Sequence, residues 1–339
     1  MNPDTLSLDV DQKSQWVDEQ LLQCLSSDSP IPNLHEALLY SLGLDIEDRI
    51  KRGKRVRPVL CLQACEALGG DPDAAMPFAC AIELMHNFCL IHDDLEDGDT
   101  MRRDRAAVWV KYGEAHAINI GDYMLTKVFQ ILTHDARIAS PQLRVGLLQL
   151  ISETLDHTHI GQALDINARM KREFALENYL QIVREKTGYY LAAPIVGGAM
   201  TANADAAVVQ AIRQFGQFIG PLFQVIDDLI DLTEGKGRGE RGSDIREGKR
   251  SYLVAITAQA ASAAERERLF DILDLPRSET TPEHVEEVIA LFEKYGALQR
   301  AREYAEGLFD EAIKTLSAVP PALSDLLQTT FRRMAQRTR

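Results

Sequence analysis

Two short acidic motifs contain residues that could hold divalent cations. The first reads Asp93-Asp94-Leu-Glu-Asp97 and the second reads Asp227-Asp228-Leu-Ile-Asp231. On a helix, residues four apart share a face, so each motif presents two carboxylates side by side. Oxygen-only ligands favour Mg²⁺ or Mn²⁺, and Mg²⁺ usually takes its remaining ligands from water and substrate phosphates. The motifs therefore predict a site that binds a phosphorylated substrate through metal ions.

Basic residues near the first motif would complete an anion site. Arg102 and Arg103 follow that motif, while Lys54 and Arg57 lie upstream in "GKRVRP", three apart and so on one helix face near a helix start. Guanidinium groups match phosphate oxygens bidentately, and lysine supplies a compact charge. We therefore expect a second anion to bind here without metal.

Three later segments carry further polar residues. Lys186 lies in "EKTGYY", and Asp244 and Lys249 lie in "GSDIREGKRSY". Each of these two segments is also compatible with an ordinary surface loop. Gln162 and Asp165 lie inside the apolar helical segment "HIGQALDI". A polar pair there requires a partner, so we expect it to face a cavity.

A simpler interpretation makes both motifs solvated acidic helix ends. Against it, both motifs follow strongly apolar segments, "FCLIH" and "PLFQVI". That position favours the mouth of a core over a polar surface. The remaining charges after the first motif, Asp99, Asp104 and Arg105, are interpreted as solvated.

Composition restricts the classes of function. The chain has 339 residues, of which 45% are hydrophobic and 26% charged, as in a globular protein with a sizeable core. A net charge of -14 argues against a nucleic-acid partner. The five cysteines lie in apolar helical segments and indicate free thiols in a reducing compartment, so we expect a cytoplasmic protein. The segment "LAAPIVGGAM" is broken by Pro194 and is shorter than the ~20 residues of a membrane span, so none is predicted.

Apolar residues recur at helical spacing along nearly the whole chain, and alternating β-branched runs are missing. Pro- and Gly-containing breaks, such as 69–73 and 233–244, separate about a dozen helical segments. We predict an all-α fold. It would be a single-domain helical bundle over residues 31–339, with a loose N-terminal segment over residues 1–30.

The polar segments follow one another in an order that is typical of one family. From about Leu34 onward, the chain resembles the trans-isoprenyl diphosphate synthases through "GKRVRP", "HNFCLIHDDLEDGDTMRR", "GQALD", "KTG", "FQVIDDLID" and "GSDIREGK". The resemblance implies an all-α bundle around a deep central cavity, usually as a homodimer. It also implies an enzyme that joins isopentenyl diphosphate to dimethylallyl, geranyl or farnesyl diphosphate.

The resemblance further implies a role for each matching residue. Mg²⁺ ions, about three in the active site, would stabilise the diphosphate leaving group. Their ligands would be Asp93, Asp97, Asp227 and Asp231, and the supporting acids would be Asp94, Asp165, Asp228 and Asp244. The allylic diphosphate would contact Arg102, Lys186 and Lys249. Isopentenyl diphosphate would contact Lys54, Arg57, His86 and Arg103. The groups that turn oxygens toward the carbocation would be Thr187 and Gln224.

One segment departs from the family pattern. The family usually has a lysine a few residues before the aspartate that here is Asp244, whereas this chain has Gly239, Glu240 and Arg241. The candidate replacements are Lys236, Arg238 and Arg241. The basic C-terminal "FRRMAQRTR" is expected either to close over the diphosphates or to be a frayed helix end.

Product length should depend on the residues just before Asp93, because the growing chain must extend from the metals into the apolar core. Phe88 and Cys89 lie about one turn before Asp93, and Met85 lies a turn deeper. In the family, two aromatic residues at positions 88 and 89 accompany a C15 product, whereas one aromatic at the first of them resembles the C20 type. We expect geranylgeranyl diphosphate, with farnesyl diphosphate or a longer product as alternatives. The simpler interpretation makes Phe88 plain core packing.

Two other classes of protein share part of this pattern. A class I terpene cyclase would not need Lys54, Arg57 and Arg103, and its second metal motif usually mixes Asn, Ser and Glu. A non-catalytic subunit of a prenyl synthase tends to lose one acidic motif, and this chain keeps both.

Overall fold

The computed structural model describes residues 3–47, 52–233 and 241–335, and this part of the chain is almost entirely helical. The helices in the first half are α1 (Pro3–Leu25), α2 (His35–Leu42), α3 (Val56–Ala67), α4 (Pro72–Glu96), α5 (Val108–Tyr112), α6 (Glu114–His134) and α7 (Pro141–Arg169). Two-residue strands β1 (Met101–Arg102) and β2 (Arg105–Ala106) pair antiparallel between α4 and α5. The all-α prediction is confirmed.

The second half continues in the same way. Its helices are α8 (Leu176–Val183), α9 (Tyr189–Thr201), α10 (Ala206–Asp231), α11 (Ser243–Arg246), α12 (Tyr252–Ala260), α13 (Ala263–Leu273), α14 (Pro282–Lys294), α15 (Ala297–Thr315) and α16 (Pro321–Ala335). A π-helical turn (Arg184–Gly188) joins α8 to α9, and short 3₁₀ turns lie at Arg277–Glu279 and Leu316–Ala318.

Residue contacts group the chain into two compact units where the sequence predicts one domain. The first unit comprises residues 1–152 and 193–209, and the second comprises residues 153–192 and 210–339. The boundaries lie inside α7, α9 and α10. Because no loop or change of composition marks them, the sequence does not reveal the division.

Helix α4 is the central helix of the first unit and packs against α3 and α6. Its start is fixed by Asp71, whose side chain accepts from the amide of Asp73, and by Pro72 in the first turn. Among the described helices, α4 is long and apolar enough to cross a bilayer, but 78% of its apolar window is buried inside the protein. A buried apolar helix of this kind is typical of a globular core.

The N-terminal segment is part of that core. Helix α1 packs against α3 and α4, and Val17, Leu21 and Leu25 are buried at a spacing of four residues. The prediction of a loose segment over residues 1–30 is therefore wrong for this helix. The apolar stripe is visible in the sequence but lies among many charged residues, which obscure it.

Helix α10 carries the second acidic motif out of the core of the second unit. Phe215, Ile219, Leu222 and Val225 form its buried stripe, and the ring of Phe215 packs edge-on against Phe331 of α16 at 5.3 Å. The motif follows directly on this stripe, so its aspartates lie where an apolar helix reaches its end.

Candidate active site

The first acidic motif is the last turn of α4. The helix ends at Glu96, and the amide of Asp97 donates to the carbonyl of Asp93 at 2.8 Å, so the two residues are one turn apart. Both side chains are half-buried, whereas Asp94 is buried. Asp93 and Asp97 thus lie one helical turn apart at the edge of the core, and both supply the oxygen donors that Mg²⁺ prefers.

Arg102 is held by the buried carboxylate of Asp94. Its Nε donates to Asp94 Oδ1 at 2.6 Å, and its Nη2 donates to the same oxygen. The carboxylate of Asp99 lies 3.9 Å from this guanidinium and is buried. The interpretation of Asp99 as a solvated charge is therefore wrong, because it belongs to the acidic surroundings of Arg102.

Arg103 is presented by the turn between β1 and β2. Arg103 and Asp104 both have positive φ, 53° and 59°, as the two central residues of a type I′ hairpin turn require. Asp104 is exposed, as predicted. Arg105 forms a surface ion pair with Asp45 through two hydrogen bonds of 2.9 and 2.6 Å.

Arg57, His86 and Arg103 form a cluster of basic side chains. Arg57 Nη1 lies 3.2 Å from His86 Nε2. Burial lowers the pKa of His86 well below its ordinary value, and the neighbouring positive charges of Arg57 and Arg103 lower it further. His86 is therefore neutral at neutral pH, and its Nε2 accepts from Arg57. It orients Arg57 without adding a third positive charge.

Lys54 lies outside the helix that carries Arg57. Helix α3 begins at Val56, with Arg55 in a left-handed conformation before it (φ 44°). The prediction that Lys54 and Arg57 share a helix face is therefore wrong. Lys54 is exposed on the loop, and Arg57 lies in the first turn of α3.

The second motif is built around Asp228. Asp227 is half-buried, but Asp228 is 2% exposed. Four donors converge on the Asp228 carboxylate: Lys249 Nζ and Tyr179 Oη, both at 3.0 Å, Gln224 Nε2 at 3.1 Å and the amide of Tyr252 at 3.2 Å. The two tyrosines are absent from the sequence prediction, because no motif marks them. The hydrogen bond from Gln224 fixes its amide with the oxygen on the side away from Asp228.

Lys249 joins two buried carboxylates. Its ammonium group donates to Asp228 Oδ1 and to Asp244 Oδ2, each at 3.0 Å. Burial alone would lower its pKa, but the attraction of Asp228, Asp244 and Asp227 outweighs burial and raises the pKa well above 10.5. Lys249 is therefore a fixed positive charge beside the second motif.

Asp231 is the most buried of the four predicted metal ligands. Its side chain has no exposed surface, and its Oδ2 accepts from the amide of Asp244 at 3.1 Å. A ligand that shares a metal with water and phosphate has to be accessible to them. In this conformation Asp231 instead anchors the segment that begins α11.

Lys186 and Thr187 lie in the π-helical turn Arg184–Gly188, which helical periodicity does not reveal. Lys186 Nζ donates to Asp165 Oδ2 at 3.0 Å, so the polar residue inside the apolar helix has the partner that we expected. Burial would raise the pKa of Asp165, but the positive charges of Lys186, Lys249 and Arg169 lower it overall. Thr187 is buried in the same turn.

Two glycines allow neighbouring helices to approach this turn closely. A Cβ on Gly161 would lie 2.3 Å from the backbone nitrogen of Lys186, and a Cβ on Gly220 would lie 2.4 Å from the Cα of Gly188. Both contacts are with backbone, which has little freedom to move away. The position of Lys186 and Thr187 thus requires glycine, which has no side chain, at these two places on α7 and α10.

Gly161→Ala is expected to destabilise the fold by about 1–3 kcal/mol, because the added methyl group displaces the turn. It should also weaken binding of the allylic diphosphate that Lys186 is predicted to contact. Gly307→Ala is the matched control, since a Cβ there meets nothing within 4 Å. Chemical unfolding of both variants tests this: equal stabilities would contradict the prediction.

Only part of the segment that departs from the family pattern lies within the described residues. Lys236, Arg238, Gly239 and Glu240 lie outside the described residues. Arg241 is described, and its Nε donates to Glu286 of α14 at 3.2 Å. Of the C-terminal stretch, Phe331 packs into the second unit, and residues 336–339 lie outside the described part.

Residues 45–292 match the family model described as "Polyprenyl synthetase". The chain belongs to the polyprenyl synthetase family. It is 32% identical over 319 residues to a geranylgeranyl diphosphate synthase of Methanosarcina mazei, covering 93% of this chain and 92% of that protein. It is 35% identical over 259 residues to a (2E,6E)-farnesyl diphosphate synthase of Mycobacterium bovis, covering 74% and 70%.

A solved structure agrees with this assignment. The geranylgeranyl pyrophosphate synthetase of Pyrococcus horikoshii superposes with a TM-score of 0.86 at 29% identity, covering 98% of this chain and 99% of that one. The resemblance to the isoprenyl diphosphate synthases is confirmed. The roles of individual residues in this polyprenyl synthetase remain predictions.

The acidic motifs of this polyprenyl synthetase suit Mg²⁺. Asp93, Asp97 and Asp227 are half-buried carboxylates, the hard oxygen donors that Mg²⁺ prefers. Within residues 3–47, 52–233 and 241–335, no three acidic, histidine or cysteine side chains close around a point as in a protein-only metal cage. Mg²⁺ commonly binds to one or two carboxylates and completes its shell with water and phosphate, so the residues fit this ion.

Two of the three residues predicted to set product length lie in the core. Met85 and Phe88 are buried in α4, while Cys89 is half-buried. The ring of Phe88 packs edge-on against His92, with ring centroids 4.8 Å apart. Phe88 is thus a buried aromatic ring about one turn before Asp93 on the same helix.

Proposed function

We propose that this polyprenyl synthetase joins dimethylallyl, geranyl or farnesyl diphosphate to isopentenyl diphosphate, with geranylgeranyl diphosphate (C20) as the product. One observation supports this most strongly: each acidic motif has a positively charged side chain held beside it by an ion pair. Arg102 lies beside the first motif and Lys249 beside the second. The further cluster of Arg57, His86 and Arg103 suits a second, metal-free diphosphate. A terpene cyclase, which takes one diphosphate, has no need of that cluster.

The protein's contribution to the reaction is to hold positive charge where negative charge develops. Cleavage of the allylic C–O bond leaves a pyrophosphate anion, and bound Mg²⁺ would supply Lewis-acid stabilisation of that leaving group. Lys186 and Lys249 are fixed by buried carboxylates, so little reorganisation is needed when the anion forms. Asp93, Asp97 and Asp227 would hold the metal ions.

Carbon–carbon bond formation follows at the allylic carbon. The double bond of isopentenyl diphosphate attacks that carbon, and the proton then lost passes to the released pyrophosphate. Gln224 and Thr187 would direct oxygen dipoles toward the cation, and the bond from Gln224 to Asp228 fixes the amide in one orientation. Arg57 and Arg103 would hold the second diphosphate through guanidinium forks.

The test is a direct assay of prenyl transfer. Purified protein is incubated with Mg²⁺, isopentenyl diphosphate and a C5, C10 or C15 allylic diphosphate, and the chain length of the product is measured. Parallel reactions replace Mg²⁺ with Mn²⁺ or with a chelator. We expect a C20 product that requires the divalent ion. Absence of product from every starter would refute the enzymatic proposal, and a C15 product would refute only the proposed length.

Phe88→Ala is expected to shift the product distribution to longer chains. The substitution removes the buried ring that would block a growing chain about one turn before Asp93. The matched control is Phe78→Ala, which removes a buried ring ten residues, or about 15 Å, earlier in α4. Each truncation costs about 3–5 kcal/mol of stability, so assays are run well below the melting temperature. An unchanged product distribution in Phe88→Ala would assign Phe88 to core packing alone.

We further propose that the enzyme is a cytoplasmic homodimer. All five cysteines are free thiols, as expected in a reducing compartment. Within the first unit, Ile118 and Phe129 of α6 and Val145 of α7 are exposed apolar side chains that a second subunit would cover. Light scattering of the purified protein measures the mass, and a monomer at micromolar concentration would contradict the dimer.

A further inference from the structure

Arg55 is the centre of a buried ion-pair network in the first unit. Its Nε donates to Asp18 Oδ1 at 2.7 Å, its Nη1 to Glu83 Oε1 at 2.9 Å, and its Nη2 to the carbonyl of Leu42 at 2.6 Å. The side chain of Arg55 has no exposed surface, and those of Asp18 and Glu83 are 7% and 3% exposed. Three different helices therefore contact one guanidinium group.

The network encloses the loop that carries Lys54. Arg52 also donates to Asp18, at 3.2 Å, and its carbonyl accepts from Arg103 Nη1 at 3.2 Å. Gly53 lies between Arg52 and Lys54 in the chain and has φ 105°. A Cβ on Gly53 would lie 3.0 Å from the guanidinium of Arg103. The loop backbone is thus packed directly against one of the arginines predicted to bind isopentenyl diphosphate.

The same network reaches His86 through α4. Glu83 lies one turn before His86 and also accepts from Asn87 Nδ2 at 3.1 Å. Arg55 is two residues before Arg57, whose guanidinium contacts His86 at 3.2 Å. Because Arg55 binds Glu83, it fixes the distance between the start of α3 and the turn of α4 that carries His86.

We propose that Arg55 is a positioning residue for the isopentenyl diphosphate site, and that α1 contributes to this site through Asp18. The inference rests on the proposed function, which places Lys54, Arg57, His86 and Arg103 at that substrate. Arg55 has no surface with which to touch a ligand, so it acts through the loop and through α4. It binds no substrate itself.

The loop needs such an anchor because its backbone is strained. Arg55 has φ 44°, a left-handed conformation that costs a non-glycine residue energy unless surrounding contacts enforce it. The three hydrogen bonds of the guanidinium enforce it here. With fewer bonds, the loop is free to relax toward ordinary dihedral angles, which moves Lys54 and Arg57 relative to His86.

Steady-state kinetics of Asp18→Asn and Arg55→Lys test this proposal. Asp18→Asn keeps the shape of the side chain but removes its charge, and Arg55→Lys replaces a three-way fork with a single ammonium group. We expect KM for isopentenyl diphosphate to rise about tenfold in each, since small displacements of binding groups have large effects. KM for the allylic diphosphate and kcat should stay within about twofold of wild type.

Arg144→Lys is the matched control for loss of a guanidinium fork in the same unit. Arg144 donates to the carbonyl of Leu132 in the last turn of α6 and to those of Asp135 and Ile138 just after it, so its loss affects stability without changing the loop that carries Lys54. Its KM values should equal those of wild type. Thermal unfolding of all three variants identifies the temperature range in which each is folded.

The outcomes separate the two hypotheses. No turnover by the wild-type enzyme would refute the proposed function itself. An active wild type whose variants show unchanged KM values, or equal increases in both, would overturn the role of Arg55. If Arg55→Lys does not fold, the milder Asp18→Asn decides by the same criterion.

Discussion

Asp93→Ala is expected to lower kcat/KM for prenyl transfer by about 10³-fold or more, because a lost metal ligand removes several kcal/mol of leaving-group stabilisation. Asp93 is half-buried at the last turn of α4, so its loss leaves no cavity in the core. Without metal, Asp93 and Asp97 repel each other one turn apart. The variant should therefore stay folded at the assay temperature, so that its loss of activity reports on the site.

A binding measurement checks this result independently of turnover. Mg²⁺ together with inorganic pyrophosphate should raise the melting temperature of the wild type, since a ligand that binds only the folded state stabilises it. The increase should disappear in Asp93→Ala. The matched control is Glu96→Gln, which removes an exposed carboxylate from the same motif. Equal loss of activity in both variants would mean that overall negative charge, and not the position of Asp93, matters.

The first motif shows what helical periodicity predicts reliably. An apolar stripe followed by Asp93 and Asp97 specifies a buried helix with two carboxylates at its end, and the structure has this arrangement in α4. The partner of Asp165 followed from the cost of burying an unpaired carboxylate, although its identity as Lys186 did not. Local patterns thus place the acidic residues, and burial energetics indicates which of them need partners.

The rest depends on contacts between distant parts of the chain. No local signal predicts that Arg55 adopts a left-handed conformation, because residues on α1 and α4 enforce it. The π-helical turn under Lys186 likewise depends on Gly161 and Gly220, which lie far away in sequence. Asp231 belongs to the same motif as Asp227, yet the segment that begins α11 buries the side chain of Asp231. The motif cannot distinguish the two residues.

The second large effect concerns the stability of the second unit. Lys249→Met is expected to cost about 3–5 kcal/mol, because it leaves the buried carboxylates of Asp228 and Asp244 without the cation between them. Lys314→Met is the control, since Lys314 pairs with Glu311 on the surface, its side chain is 68% exposed, and such pairs contribute little. Urea unfolding of both variants measures the difference.

A double variant distinguishes the cause of that loss. If uncompensated charge is responsible, Lys249→Met combined with Asp244→Asn should be more stable than Lys249→Met alone, because one buried charge is removed with its partner. If lost packing is responsible, adding Asp244→Asn should lower the free energy of unfolding further. The surviving folded protein should still bind the allylic diphosphate about 10²-fold more weakly, since Lys249 is one of its predicted cations. If the double variant regains stability but still binds the allylic diphosphate weakly, Lys249 has two separate roles. It is then both a counter-ion to the buried carboxylates and a contact of the substrate.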